Sequence, residues 1–215
     1  MTLSVPLTDD FGLDGAGSNR AWNAAAWQPL TRVVEGKMPY QTRVKTLYSH
    51  TGIYFLFDCE DKCLTCTLTE DYTDLFREDV AEAFLWPEEA HPVYFEYEVS
   101  PLGPELPILI SNDGGKFCGW LPWHYTGERR IRRATAVRGG PKKSMANVTG
   151  WSAEIFIPFA LLLGLGNVPP TPGTRWRANM YRIDYDQPER TLWAWSPETG
   201  GVFHRYQEFG TLVFE

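Results

Sequence analysis

Apolar, β-branched and aromatic residues recur along this chain in short runs, and within the runs they alternate with polar residues, a period of two that suits a strand and not a helix. In Tyr94-Phe95-Glu96-Tyr97-Glu98-Val99 the side chains of Phe95, Tyr97 and Val99 share one face, and Glu96 and Glu98 take the other. The pattern predicts a strand with one wet face there. It predicts strands over Thr42–Tyr48, Gly52–Asp58, Val80–Trp86, Val93–Ser100, Leu106–Ser111, Ile131–Val137, Trp151–Ile157, Arg175–Ile183 and Thr211–Phe214. Gly, Pro, Asn and Asp clusters such as Gly139-Gly140-Pro141 separate the runs and suit long loops between sheets. Only Pro158–Gly164 reads as a helix, with Pro in its first turn and Gly behind its last Leu. The expected fold is all-β: an antiparallel two-sheet β-sandwich, jelly-roll-like, with one short helix plugging an end of the core.

At 215 residues, with 43% apolar and 22% charged residues, the chain suits one globular domain over residues 1–215. No run approaches the ~18 apolar residues of a membrane helix, and Met1 to Asp10 has neither a basic nor an apolar signal region, so neither a membrane span nor an export signal is expected. A net charge of −7 argues against a general nucleic-acid binder. The one basic stretch, Glu128 to Lys143, holds seven Arg and Lys against one acid and reads as a solvated strand and loop, with a subunit contact or an anionic ligand as alternatives.

Cys59, Cys63 and Cys66 have the spacing of radical-SAM enzymes, but the long alternating βα units of such enzymes are missing. With Cys118 they read as small buried hydrophobes or one opportunistic disulfide. Asp79, Glu82, Glu96, Glu98 and Glu154 fall on predicted strands or at their ends. A pair of carboxylates held about 5 to 9 Å apart could hydrolyse a glycoside, a distance that sequence does not supply. Gly-x-Ser-x-Gly, His-Glu-x-x-His and phosphate-cradling Gly loops are absent, and no enzyme activity is expected. Binding is better supplied. Trp86, Trp120, Trp123, Trp193 and Trp195 lie near strand ends and loops, where flat rings could meet the C–H faces of a pyranose, although most Trp residues are core. Trp193 and Trp195, two apart, point to one side of a strand, as a sugar platform or a core plate.

Five motifs then occur in order: Asp14-Gly15 with a Trp downstream; Arg77-Glu78-Asp79-Val80-Ala81-Glu82-Ala83-Phe84; Gly150-Trp151-Ser152-Ala153-Glu154-Ile155-Phe156-Ile157-Pro158; Arg175-Trp176-Arg177-Ala178-Asn179-Met180-Tyr181-Arg182; and Ala194-Trp195-Ser196-Pro197 through Phe203-His204 to Phe209-Gly210. Together they resemble the carbohydrate-binding module family 9-like group, similar in fold to DOMON-like sandwiches. The resemblance implies non-catalytic binding of a plant-type oligosaccharide or polysaccharide end, xylan or glucan. It further implies an accessory role to a glycoside hydrolase and an extracellular or periplasmic setting. In such binders two aromatic rings sandwich a terminal sugar. The resemblance puts Phe76 at the first wall, where binders carry Trp, and Trp195, or next Trp193, at the second. It puts Glu82 among the polar contacts, adds Asn179 and Arg182 as candidates, and places Glu98 where the family carries Arg. Asn179 and Arg182 point to opposite faces of a regular strand, so an internal pairing of Arg182 with Asp184 or Glu154 stands beside its ligand role. No cofactor is required. Structural calcium fits the family, with Asp9-Asp10, Asp58 to Asp61 and Asp184 to Asp186 as oxygen-rich turns.

Two other readings stand beside this one. DOMON-like relatives include haem domains, and His50, His91, His124 and His204 with Met38, Met145 and Met180 could supply axial ligands. An assembly module of a larger enzyme that has lost its sugar site is the other.

Overall fold

A computed structural model describes residues 1–33, 40–186, 190–197 and 200–215 and realises the alternation as two sheets packed face to face. The strands are β1 (Thr2–Val5), β2 (Gln28–Pro29), β3 (Thr31–Arg32), β4 (Thr42–Tyr48), β5 (Gly52–Glu60), β6 (Val80–Trp86), β7 (Val93–Val99), β8 (Glu105–Asp113), β9 (Lys116–Pro122), β10 (Arg132–Arg138), β11 (Gly150–Pro158), β12 (Arg175–Asp184), β13 (Thr191–Ala194) and β14 (Gly210–Phe214). The larger sheet runs β1-β14-β12-β6-β7-β8-β9, with β13 beside the C-terminal half of β12 and β3 beyond it. The smaller runs β10-β11-β5-β4-β2. Pairing is antiparallel except at one edge, where β1 lies parallel to β14. Each of the nine predicted strands is present, with ends shifted by two residues at most. The helix α1 (Phe159–Leu162) follows Pro158 and continues into a 3-10 turn, Leu163–Leu165.

Inner faces of both sheets make one core. Phe55, Phe57, Trp151 and Ile155 of the small sheet meet Ala83, Phe95, Tyr97, Trp176 and Met180 of the large one. A Phe or Trp buried this completely costs about 3–5 kcal/mol to truncate to Ala. The small sheet's outer face is covered by the N-terminal segment. There Glu154 accepts the backbone N–H groups of Asp14 and Gly15, both at 2.6 Å, and the indole N–H of Trp22 at 2.7 Å. Gly15 has φ +83°, and a Cβ on it would lie 2.6 Å from the backbone of Thr135. This close approach accounts for the Asp-Gly pair and for Glu154 as a structural acceptor. The basic stretch forms edge strand β10, where Arg133 pairs with Asp71 and Glu105, and Arg138 with Asp58. Charged side chains on an edge strand also block sheet-to-sheet aggregation.

The wet face expected for Glu96 and Glu98 is not wet. Glu96 is 4% exposed and Glu98 fully buried. The outer face of the large sheet carries its own apolar cluster, including Val80, Phe84, Tyr94, Ile108, Ile110 and Tyr181. The segment around Leu75 and the segment from Phe203 to Phe209 cover it. Polar residues alternate along β7 because of what this second layer encloses, not because water lies beyond it.

Candidate functional site

Register across the large sheet sets the floor of the site. Glu82 of β6 stands opposite Glu98 of β7, and Phe84 opposite Glu96. Glu96 is followed across β8 by Ile108, and Ile110 by Trp120 of β9. Above this floor lies a cavity of about 370 Å³, lined by Glu82, Phe84, Glu96, Ile108, Ile110, Ile183 and Leu192 below. Phe76, Phe117, Trp120, Arg190 and the stretch Gly201–His204 line the rest. Ligand pockets of roughly 300–1,000 Å³ with apolar walls and a few polar groups are typical of small-molecule sites. Trp120 and Phe117 are partly exposed at the rim.

The motif preceding β6 is a mount for Phe76. Glu78 accepts the backbone N–H of Thr67 and of Leu68, and Asp79 accepts those of Thr65 (2.6 Å) and Tyr185 (2.8 Å). The Tyr185 hydroxyl donates to the carbonyl of Phe76 at 3.0 Å. The turn Leu75–Arg77 is thereby tied to two neighbouring segments and presents its ring to the cavity. On the other side His204 lies near-parallel to Phe84 at 5.6 Å and against Phe117 at 4.6 Å, with its Nδ1 2.8 Å from the Tyr94 hydroxyl. Burial lowers the His204 pKa to about 4, so the imidazole is neutral at pH 7.

Burial raises the carboxyls of the floor. Glu96 is pushed up to about 8. Glu82 is raised by burial and by Glu96, against the pull of Arg190, and Glu98 by burial and by both other glutamates. One oxygen of Glu96 and both of Glu98 are buried without a well-aligned hydrogen bond among the described residues, while the Glu96 and Glu98 carboxyls lie close enough to each other, and Glu98 to the Phe76 backbone, to influence their ionisation. The site therefore offers aromatic faces and acceptors, and carboxyls held protonated donate as well.

Of the six residues the resemblance or the sequence offered as sugar contacts, the structure brings Phe76 and Glu82 to this cavity, together with Glu96, Trp120 and His204, which the sequence had singled out in other roles. Trp195 is a correction: it is 1% exposed, lies in the core between the sheets, and occupies the space where a Cβ on Gly210 would stand, 2.3 Å from its ring. Trp193 is a correction too. It pairs with Arg182 across β12 and β13, shares the inner face, and holds the Arg182 guanidinium 5.0 Å from its ring. One side of it borders a separate cavity of about 470 Å³ with Trp27 and Tyr40. Asn179 is fully buried, and its amide bonds both backbone groups of Ser196, at 2.8 Å each. Arg182 is fully buried as well, paired with Asp61 at 3.1 Å and Asp184 at 2.6 Å, so the internal pairing is the one realised, with Asp184 and not Glu154. Trp86 is buried and donates to the His91 carbonyl. Sequence reasoning missed Phe117 and Arg190, considered His204 only as a haem ligand and within the last motif, and set Trp120 only among the general Trp candidates. Their loops and edge strand carry no periodic signal.

Among the described residues the one group of three potential metal-ligating side chains is Asp61, Asp184 and Asp186, each offering an oxygen within 4.8 Å of the others. Burial raises Asp61 to about 7 and raises Asp184, while Arg182, which pairs with both, opposes this. An all-carboxylate set with a single guanidinium against it has the hard-oxygen chemistry of a calcium site. The four cysteines are unpaired thiols, burial lifts Cys59 and Cys66 to about 12, and among the described residues no cysteines stand in a group of three potential metal-ligating side chains. Met180 sits between the sheets and His204 over the outer face, while His50, His91, His124 and Met145 are exposed; Met38 lies outside the described residues. No helix is long and apolar enough to cross a membrane among the described residues.

The fold has known counterparts. Over 201 residues the chain is 26% identical to an "Extracellular protein" of Arthroderma benhamiae, covering 90% of this chain and 86% of that one. A structure described as a putative carbohydrate-binding protein from Bacteroides uniformis superposes with a TM-score of 0.79 at 19% identity, over 100% of this chain and 99% of the other. A carbohydrate binding module family 9 of Caldicellulosiruptor kristjanssonii, solved with cellotriose, superposes with a TM-score of 0.69 at 14% identity, over 100% and 94%. The same kind of module solved with glucose gives 0.67 at 14%, over 100% and 96%. The family model for carbohydrate-binding family 9 matches residues 19–214, and the chain belongs to that family.

Proposed function

We propose that the outer-face cavity is the sugar site of a non-catalytic module and takes the end of a gluco- or xylo-configured oligosaccharide. Phe76 and Trp120 pack on the C–H faces of the ring, and Glu82, Glu96 and Arg190 pair with its hydroxyls. The observation that carries this is the aromatic rim over buried acids in a family 9 chain. The cellotriose and glucose complexes of similar modules support the ligand class. The name of the fungal relative supports an extracellular setting, in which the module would serve a glycan-degrading enzyme.

Titration calorimetry with cellobiose and xylobiose tests it. Phe76→Ala should lose roughly two- to tenfold in affinity, the worth of about 0.5–1.5 kcal/mol of ring packing. Full affinity in that variant contradicts the placement, and no affinity for any neutral sugar in the unmodified protein favours the assembly-module reading.

For the metal, Asp61, Asp184 and Asp186 would hold a structural calcium, which needs no part in sugar recognition. Calorimetric unfolding should then show a Tm that falls with chelator and returns with added calcium. An unchanged Tm removes the ion.

A further inference from the structure

Resting on that reading of the cavity, we propose that it selects a sugar carrying a free amine, a deacetylated hexosamine end, whose ammonium is held by Glu96. The inventory of carboxyls points there, because acids that burial holds neutral regain their charge beside a cation. Glu82 and Glu96 line the cavity and Glu98 lies beside Glu82 in register, against one guanidinium, Arg190. His204 adds no charge at neutral pH, since burial keeps it unprotonated. Its Nδ1, 3.9 Å from the unpartnered oxygen of Glu96, is bonded instead to Tyr94.

Glu96 lines the cavity among Phe84, Ile108 and Phe117, and its carboxyl is under-satisfied, with one oxygen buried and without a protein hydrogen bond. A neutral hydroxyl offers it one proton. An ammonium offers three donors and a charge, and the rings of Phe117 and Trp120 at the rim favour a cation further. A metal ion is the poorer occupant, since among the described residues these glutamates do not bring three oxygens within 4.8 Å of one another. Burial holds the Glu96 carboxyl up at about 8, so an arriving ammonium drives it to ionise, and binding expels a proton to solvent.

The experiment is titration calorimetry of the whole protein at mildly acidic pH with the glucosamine disaccharide, its N-acetylated form and cellobiose. The deacetylated disaccharide is expected to bind roughly tenfold tighter than cellobiose, and the acetylated form no tighter than cellobiose. Repeating the titration in two buffers of different ionisation enthalpy should reveal the released proton. Glu96→Gln should bring the two affinities together. Equal affinities in the unmodified protein, or binding without proton release, overturn the amine preference and leave the sugar site standing. A preference that survives in E96Q overturns the role of Glu96. Binding of none of the three sugars overturns this inference together with the sugar site.

Discussion

Two tryptophans of equal burial show what a single atom decides. Trp151 and Trp195 are both in the core, but the Trp151 indole N–H donates to Asp61 at 3.0 Å, whereas that of Trp195 has no partner among the described residues. Replacing either by Phe removes similar volume. Only Trp151→Phe also strips a hydrogen bond from a buried carboxylate, an effect of about 1.5–3 kcal/mol for bonds to charged groups. Urea unfolding should therefore find W151F less stable than W195F by about that much. Equal losses would mean that the indole bond is worth nothing. Which Trp is core was not legible in the sequence. Alternation puts Trp193 and Trp195 on one side, but which side depends on the pairing of Trp193 with Arg182, and so on a partner strand outside the local pattern.

At the scale of elements, the strands that read clearly are those whose alternation separates core from covered face, such as β5, β6 and β11. Strand β9 did not read. It carries Gly119 and Pro122, and its exposed edge needs no regular apolar face. Both β6 and β7 read correctly as strands, but β7 read wrongly as to solvent, because the residues that cover this face, Phe76 and Phe203 to Phe209, come from distant loops. That covering has a consequence for pH. Glu82, Glu96 and Glu98 have folded pKa values above their unfolded ones, so the native state binds more protons and their contribution to stability is greatest below the unfolded value near ~4.5. It is lost as pH rises through the folded value, about 8 for Glu96. The Tm should fall between roughly pH 5 and 9. The fall should be shallower in Glu96→Gln, and an identical slope in that variant would show that Glu96 does not titrate in this range.

Across the whole molecule, one division explains the placement of function. The space between the sheets is filled by the largest rings, including Trp151, Trp176 and Trp195, and is closed to ligands. The second layer, over the large sheet, is roofed by loops and leaves the cavity rimmed by Phe76 and Trp120. The nine Trp residues of the chain then fall into separable environments, and their indole N–H signals report on each at once. The direct test is a titration of the 15N-labelled protein with cellobiose, followed on those signals after assignment by single Trp→Phe variants. The Trp120 signal should shift progressively to saturation, while those of Trp193 and Trp195 stay in place. Shifts at Trp193 and Trp195 with a stationary Trp120 would contradict the account and move the sugar away from this cavity.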